Sequence, residues 1–155
     1  MSIQYMEGDA TIPHTRPVII AHICNNLGLW GAGFVVALGK RYPKAKAEYL
    51  DWHRQRGSLS LTDIQLVQVE KQVWVANMIA QNGVWTCKNP RPLCYESLEL
   101  CLMRLRMIAF EHNAAIQMPK IGTGLGRGDW KIIQGLIQKC LANNDTDVFV
   151  LELPK

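Results

Sequence analysis

Apolar positions along the chain switch between two periods, and the switching predicts the elements. Residues 2–7, SIQYME, alternate as a first strand that Gly8-Asp9 ends. VIIAHIC at 18–24 is nearly all apolar, as a strand covered on both faces should be. From Phe34 the spacing turns helical to about Arg41, breaks at Pro43, and resumes in a second helix that Gly57 closes. IQLVQVE (64–70) alternates strictly and VWVANMIAQ (73–81) is a second buried run, so the two pair as a hairpin across Lys71-Gln72. Asn82 to Pro92, carrying Gly83, Pro90 and Pro92, reads as a loop. A long helix then places Cys94, Leu98, Cys101, Leu102, Leu105, Ile108 and Ala109 on one face. AAIQMPKIG (114–122) is a strand and TGLGRGD a glycine loop. The last helix repeats the pattern with Ile132, Ile133, Leu136, Ile137, Cys140 and Leu141, and DVFVLEL (147–153) is the closing strand.

Buried strands interleaved with amphipathic helices predict an α/β fold with helices on both faces of the sheet. No repeat, low-complexity tract or linker interrupts it, so residues 1–155 read as one domain. Composition adds little to that picture: 48% hydrophobic and 19% charged residues suit an ordinary globule. The formal charge of +4 admits an anionic ligand, but it is too mild and scattered for a nucleic-acid footprint. The tightest basic run, Lys40, Arg41, Lys44 and Lys46, falls where a helix should end and reads as charges on its C-terminus. Five cysteines, an odd number with no C-x-x-C pair, read as reduced thiols of a cytoplasmic protein. His14, His22, His53 and His112 show no metal-ligand spacing, so neither a metal nor a cofactor is expected. No signal peptide or membrane-length apolar run is present, so no membrane association is expected either.

Chemistry concentrates in two glycine loops, one with Gly28, Gly31 and Gly33, the other with Gly122, Gly124, Gly126 and Gly128. Each follows a buried strand and precedes a helix, the place where open α/β sheets bind ligands. Glycines let main-chain N–H groups approach phosphate oxygens, and the following helix N-terminus favours negative charge. Neither loop is a dinucleotide fingerprint, since G-x-G-x-x-G fails at Arg127 and at Asp129. Neither is a P-loop. Two such loops suggest a diphosphate held by backbone donors; the plain alternative is that they are tight for packing reasons.

GDA (8–10), AHICNNLGLWGAGF (21–34), VANMIAQ (75–81) and MPKIGTGLGRGDW (118–130), in that order, resemble a macrodomain over essentially the whole chain. The W-G-A/G-G loop places the likeness in a compact subgroup. The resemblance implies a three-layer α/β/α sandwich with a mixed central sheet. It also implies binding of ADP-ribose, ADP-ribose 1''-phosphate or an ADP-ribosylated protein. On that likeness Asp9, with Ala10 beside it, meets adenine, and Asn25 meets the distal ribose. Trp30, Gly31, Ala32, Gly33 and Phe34 line one side of the diphosphate, and Ile121, Gly122, Thr123, Gly124, Leu125, Gly126 and Arg127 close over the other. Left to themselves, Asp9 reads equally as a turn residue, and Asn25 and Asn26 as strand-end caps.

The departures bear on chemistry. Where the family's N-A-A-N…G-G-V-D members have asparagine and aspartate, this chain has His22 and Val35. Where glutamate-specific hydrolases have lysine and aspartate, it has Gln81 and Gly126. His22, Asn25 and Asp129 remain as catalytic candidates. A neutral imidazole serves as general acid or base, although a histidine in an apolar strand also serves as core. Strand alternation points His22 and Asn25 oppositely unless the strand end is irregular. Asp129 either bends back to the loop or caps the last helix. Trp85 and Trp130 are further aromatic candidates, and Lys120 and Arg127 candidate phosphate partners, Arg127 the better for its planar fork. The expected function is ADP-ribose binding with hydrolysis of the 1''-phosphate. Its rivals are a non-catalytic reader, a hydrolase with non-standard residues, and a nucleic-acid-binding module.

Overall fold

The N-terminal alternation becomes β1 (Ile3–Glu7) and the apolar run becomes β2 (Val18–Asn25) in a computed structural model describing residues 3–142 and 146–155. Ser2, given to the first strand by its pattern, lies outside the described residues. There follow α1 (Phe34–Arg41), α2 (Pro43–Arg56), β3 (Ile64–Glu70), β4 (Val73–Gln81), α3 (Tyr95–Glu111), β5 (Ala115–Met118), α4 (Trp130–Cys140) and β6 (Val148–Glu152). Pro43 breaks the helical run as its sequence position predicts, then starts α2, where a missing N–H costs nothing. Gly57 ends α2 at φ 78°, its N–H donating to the His53 carbonyl. One boundary moves. The strand expected to reach Gly122 stops at Met118, because Pro119 has no N–H for the ladder and its carbonyl turns to accept from Ile121 at 2.8 Å.

The six strands form one sheet in the order β1-β6-β5-β2-β4-β3. All neighbours are parallel except β3, which pairs antiparallel with β4 as the expected hairpin. Alternation along β2 sorts its side chains into two cores. Val18, Ile20 and Cys24 face Leu38, Ala45 and Tyr49 of α1 and α2. Ile19 and Ala21 face Leu98, Leu102 and Leu105 of α3 and Ile133 and Ile137 of α4. Each fully buried aliphatic side chain contributes about 1.5–3 kcal/mol. The result is a three-layer α/β/α sandwich with a mixed sheet. No helix among the described residues is long and apolar enough to cross a membrane.

Because the inner strands run parallel, their carboxyl ends share one edge. The two glycine loops leave that edge from β2 and β5, which are neighbours in the sheet.

Candidate functional site

A cleft of about 830 Å³ opens between the two loops, within the range of small-molecule sites. Residues 28–35 and 119–126 form much of its wall, with Gln81, Val84 and Trp85 from the end of β4, and Lys46 and Leu50 from α2. Its charged lining residues among those described are Lys46 and Lys120, and no carboxylate lines it. It is built for an anion.

The glycines divide into two kinds. A Cβ on Gly122 would come within 2.9 Å of Leu93 Cδ2, and one on Gly128 within 2.4 Å of that atom and 2.8 Å of the Gly122 carbonyl. Those two are required by packing within the second loop. Gly33 has open space but φ +82°, which disfavours other residues. Gly31 and Gly124 have neither a left-handed φ nor any atom within 4 Å of an added Cβ, and both line the cleft. Nothing in the chain itself asks for glycine at those two positions.

His22 and Asn25 both line the cleft despite their odd separation. Ile23 and Cys24 line it too, so both faces of the strand end reach the cleft, and there the register with β4 shifts: Cys24 pairs with Ile79 and Asn25 with Gln81, skipping Ala80 of β4. Asn25 holds its own loop. Its Oδ1 accepts from the Leu27 amide at 2.9 Å and the Leu29 amide at 3.2 Å, while Nδ2 donates to the Leu29 carbonyl at 2.8 Å. Asn26 ties the loop to the end of β4, accepting from the Gly83 amide at 2.8 Å and donating to Asn82 Oδ1.

His22 is 2% exposed, with Trp30 and Phe34 ring centroids 5.3 and 5.9 Å away. Its Nε2 lies 2.5 Å from Asn77 Oδ1. Asn77 Nδ2 donates to Gln65 Oε1 at 3.0 Å and toward the Ala45 carbonyl at 3.4 Å, so Oδ1 must accept and the imidazole proton sits on Nε2. Nδ1 is left as a lone pair with no partner. Burial pulls the His22 pKa down to about 4, against a smaller upward pull from Asn77, so the ring is neutral at pH 7.

Several candidates lie elsewhere. Asp129 caps α4, accepting from the Lys131 amide at 2.9 Å, and does not line the cleft. Arg127 lies over the Trp85 ring, 5.4 Å from its centroid, and is not itself among the lining residues, whereas Lys120 is. Trp30, Phe34 and Trp85 line the cleft, whereas Trp130 packs against the α3–α4 core. Asp9 and Ala10 stay outside it. Ala10 is buried, and Asp9 Oδ1 accepts from both the amide and the hydroxyl of Thr11. Burial raises the Asp9 pKa, but Thr11 and Arg41 outweigh that and hold it below the ordinary value. Ala32, Ile121, Thr123 and Leu125 line the cleft as expected.

Gln81 and Gly126 are brought together, a Cβ on Gly126 falling 3.3 Å from Gln81 Oε1. An amide and a bare main chain thus occupy the paired positions where the glutamate-specific relatives were expected to carry lysine and aspartate. The sequence reading missed Lys46. The run it belongs to was assigned to a helix end, but Pro43 restarts the helix and puts Lys46 in the early part of α2, beside the cleft.

The fold and site define a class: an α/β/α domain that presents an anion-accepting cleft between two glycine loops at the carboxyl ends of parallel strands. A macrodomain protein from Streptomyces coelicolor is 40% identical, superposes with TM-score 0.85, and matches over 99% of this chain and 100% of its own. The chain belongs to the macrodomain family. A Bacteroides thetaiotaomicron protein of unknown function is 36% identical over 99% of both chains, with TM-score 0.94. An ADP-ribose 1''-phosphate phosphatase from Lodderomyces elongisporus is 24% identical over 98% of this chain and 100% of its own. No family model matches the chain.

Proposed function

We propose that the cleft binds ADP-ribose and ADP-ribose 1''-phosphate, and that the protein hydrolyses the latter to ADP-ribose and inorganic phosphate. The observation that carries this reading is Gly31 and Gly124, glycines that neither conformation nor packing requires. Open space against main chain on two loops is what a diphosphate needs in order to reach N–H donors. The lysines and the lack of lining carboxylates favour the same charge. The name of the Lodderomyces relative supports the phosphomonoester as substrate.

In the reaction, water oxygen bonds to phosphorus, the bond from phosphorus to O1'' breaks, and one water proton ends on the released 1''-hydroxyl. His22 is the imidazole lining the cleft, and its unpaired Nδ1 takes the proton from water and passes it to the departing O1'', which leaves the ring neutral again. A non-catalytic reader is the second reading, favoured by the cleft's lack of a carboxylate and by the commitment of Asp129 to its helix.

Calorimetry with ADP-ribose, ADP and the Gly124→Glu variant tests binding. Gly124→Glu is preferable to a Gly33 change, since φ +82° would strain any side chain there. ADP-ribose is expected to bind more tightly than ADP and to lose its heat in the variant; normal binding by the variant would remove the cleft assignment. Phosphate release from ADP-ribose 1''-phosphate then separates the two readings. The wild type is expected to turn over and His22→Phe to lose turnover while keeping ADP-ribose binding within a few-fold.

A further inference from the structure

The cleft's two ammonium groups are not equivalent. Lys120, just beyond β5, reaches Glu152 at the end of β6, 3.2 Å from its Oε1, and is already neutralised. Lys46 has no ion-pair partner among the described residues. Two of its neighbours in the basic run are occupied: Arg41 donates to the Thr11 hydroxyl at 2.9 Å, and Lys44 to the Gln68 carbonyl at 3.0 Å. The two lysines also stand at different ends. Lys120 lies on the β5–β6 side of the sheet, and α2, which carries Lys46, packs on β3 and β4.

Lys46 is exposed on α2, one turn before Leu50, and both residues line the cleft. An unpaired ammonium at the cleft wall distinguishes a neutral hydroxyl from a phosphate dianion, because no lining carboxylate offsets its charge. The diphosphate does not need it, since the glycine loops provide main-chain donors nearer the middle of the sheet. We propose that Lys46 forms a separate phosphomonoester subsite, which makes the protein prefer the 1''-phosphorylated ligand to ADP-ribose itself. This inference rests on the ligand reading above.

The test is a pair of dissociation constants, for ADP-ribose and for ADP-ribose 1''-phosphate. They are measured by calorimetry in the His22→Phe background, so that the phosphomonoester survives the titration, and ADP-ribose is repeated in the wild type. Lys46→Gln is expected to weaken the 1''-phosphate about tenfold, the range of a charge-assisted contact, and to leave ADP-ribose within twofold. Lys46→Arg is expected to restore most of the preference, and added salt to shrink it. Equal weakening of both ligands, or no weakening of either, would overturn the subsite while leaving the cleft's ligand intact. If the parent protein bound neither compound, the ligand reading and the subsite would fall together. A circular dichroism melt of each variant separates loss of fold from loss of contact.

Discussion

His22 carries a stability signature that its burial dictates. Folded, its pKa is about 4; unfolded, it returns to about 6.5. Between those values the unfolded chain binds the extra proton, so acidification favours unfolding and stability rises with pH through the window. From pH 7 to pH 5 this one group is expected to remove about 2 kcal/mol. Urea denaturation of wild type and His22→Phe at both pH values checks it. The pH-dependent loss should be smaller in the variant by that amount, and parallel losses would mean the imidazole is not buried neutral. The residue types at this site were readable from sequence; their directions were not. Alternation alone sets His22 and Asn25 on opposite faces, and it is the strand's end at the cleft, which residues 22–25 all line, that brings both to it. Asp129 was open to two roles, and the geometry of the α4 N-terminus decides for the cap.

At the scale of elements, each glycine loop combines positions required by the fold with positions that serve the cleft. Gly128 sits against Leu93, Ile133 and the Gly122 carbonyl, where backbone cannot yield. Gly128→Ala is therefore expected to destabilise by about 1–3 kcal/mol. Gly124→Ala is expected to leave stability within about 0.5 kcal/mol, the usual range for a surface change. Thermal melts of the two variants compare them directly. Equal losses would erase the division between packing and ligand glycines. Sequence could not divide them, because a glycine required by Leu93 and one free of all contacts read the same in one dimension. The basic run behaves similarly. Lys40 and Arg41 do close α1 as their place before Pro43 implied, but Lys44 and Lys46 belong to the helix that follows, and Lys46 lines the cleft.

For the molecule as a whole, ligand binding and folding are linked. A ligand at a hundred times its dissociation constant adds about 2.7 kcal/mol to the folded state, which for a chain of this size raises Tm by roughly 5–10 °C. Saturating ADP-ribose should give that shift in wild type and none in Gly124→Glu. A shift of equal size in both would place the ligand elsewhere. The periodicities of 2 and 3.6, the prolines and the glycines determined the order and type of the elements, because those signals are local and each residue reports its own burial. They also marked both loops as the place for a ligand. Strand order, the register skip at Ala80 of β4, the stacking of Arg127 over Trp85 and the arrival of Lys46 at the cleft were decided in three dimensions. Each depends on pairings between segments far apart in the chain, which a local pattern of apolar positions does not encode.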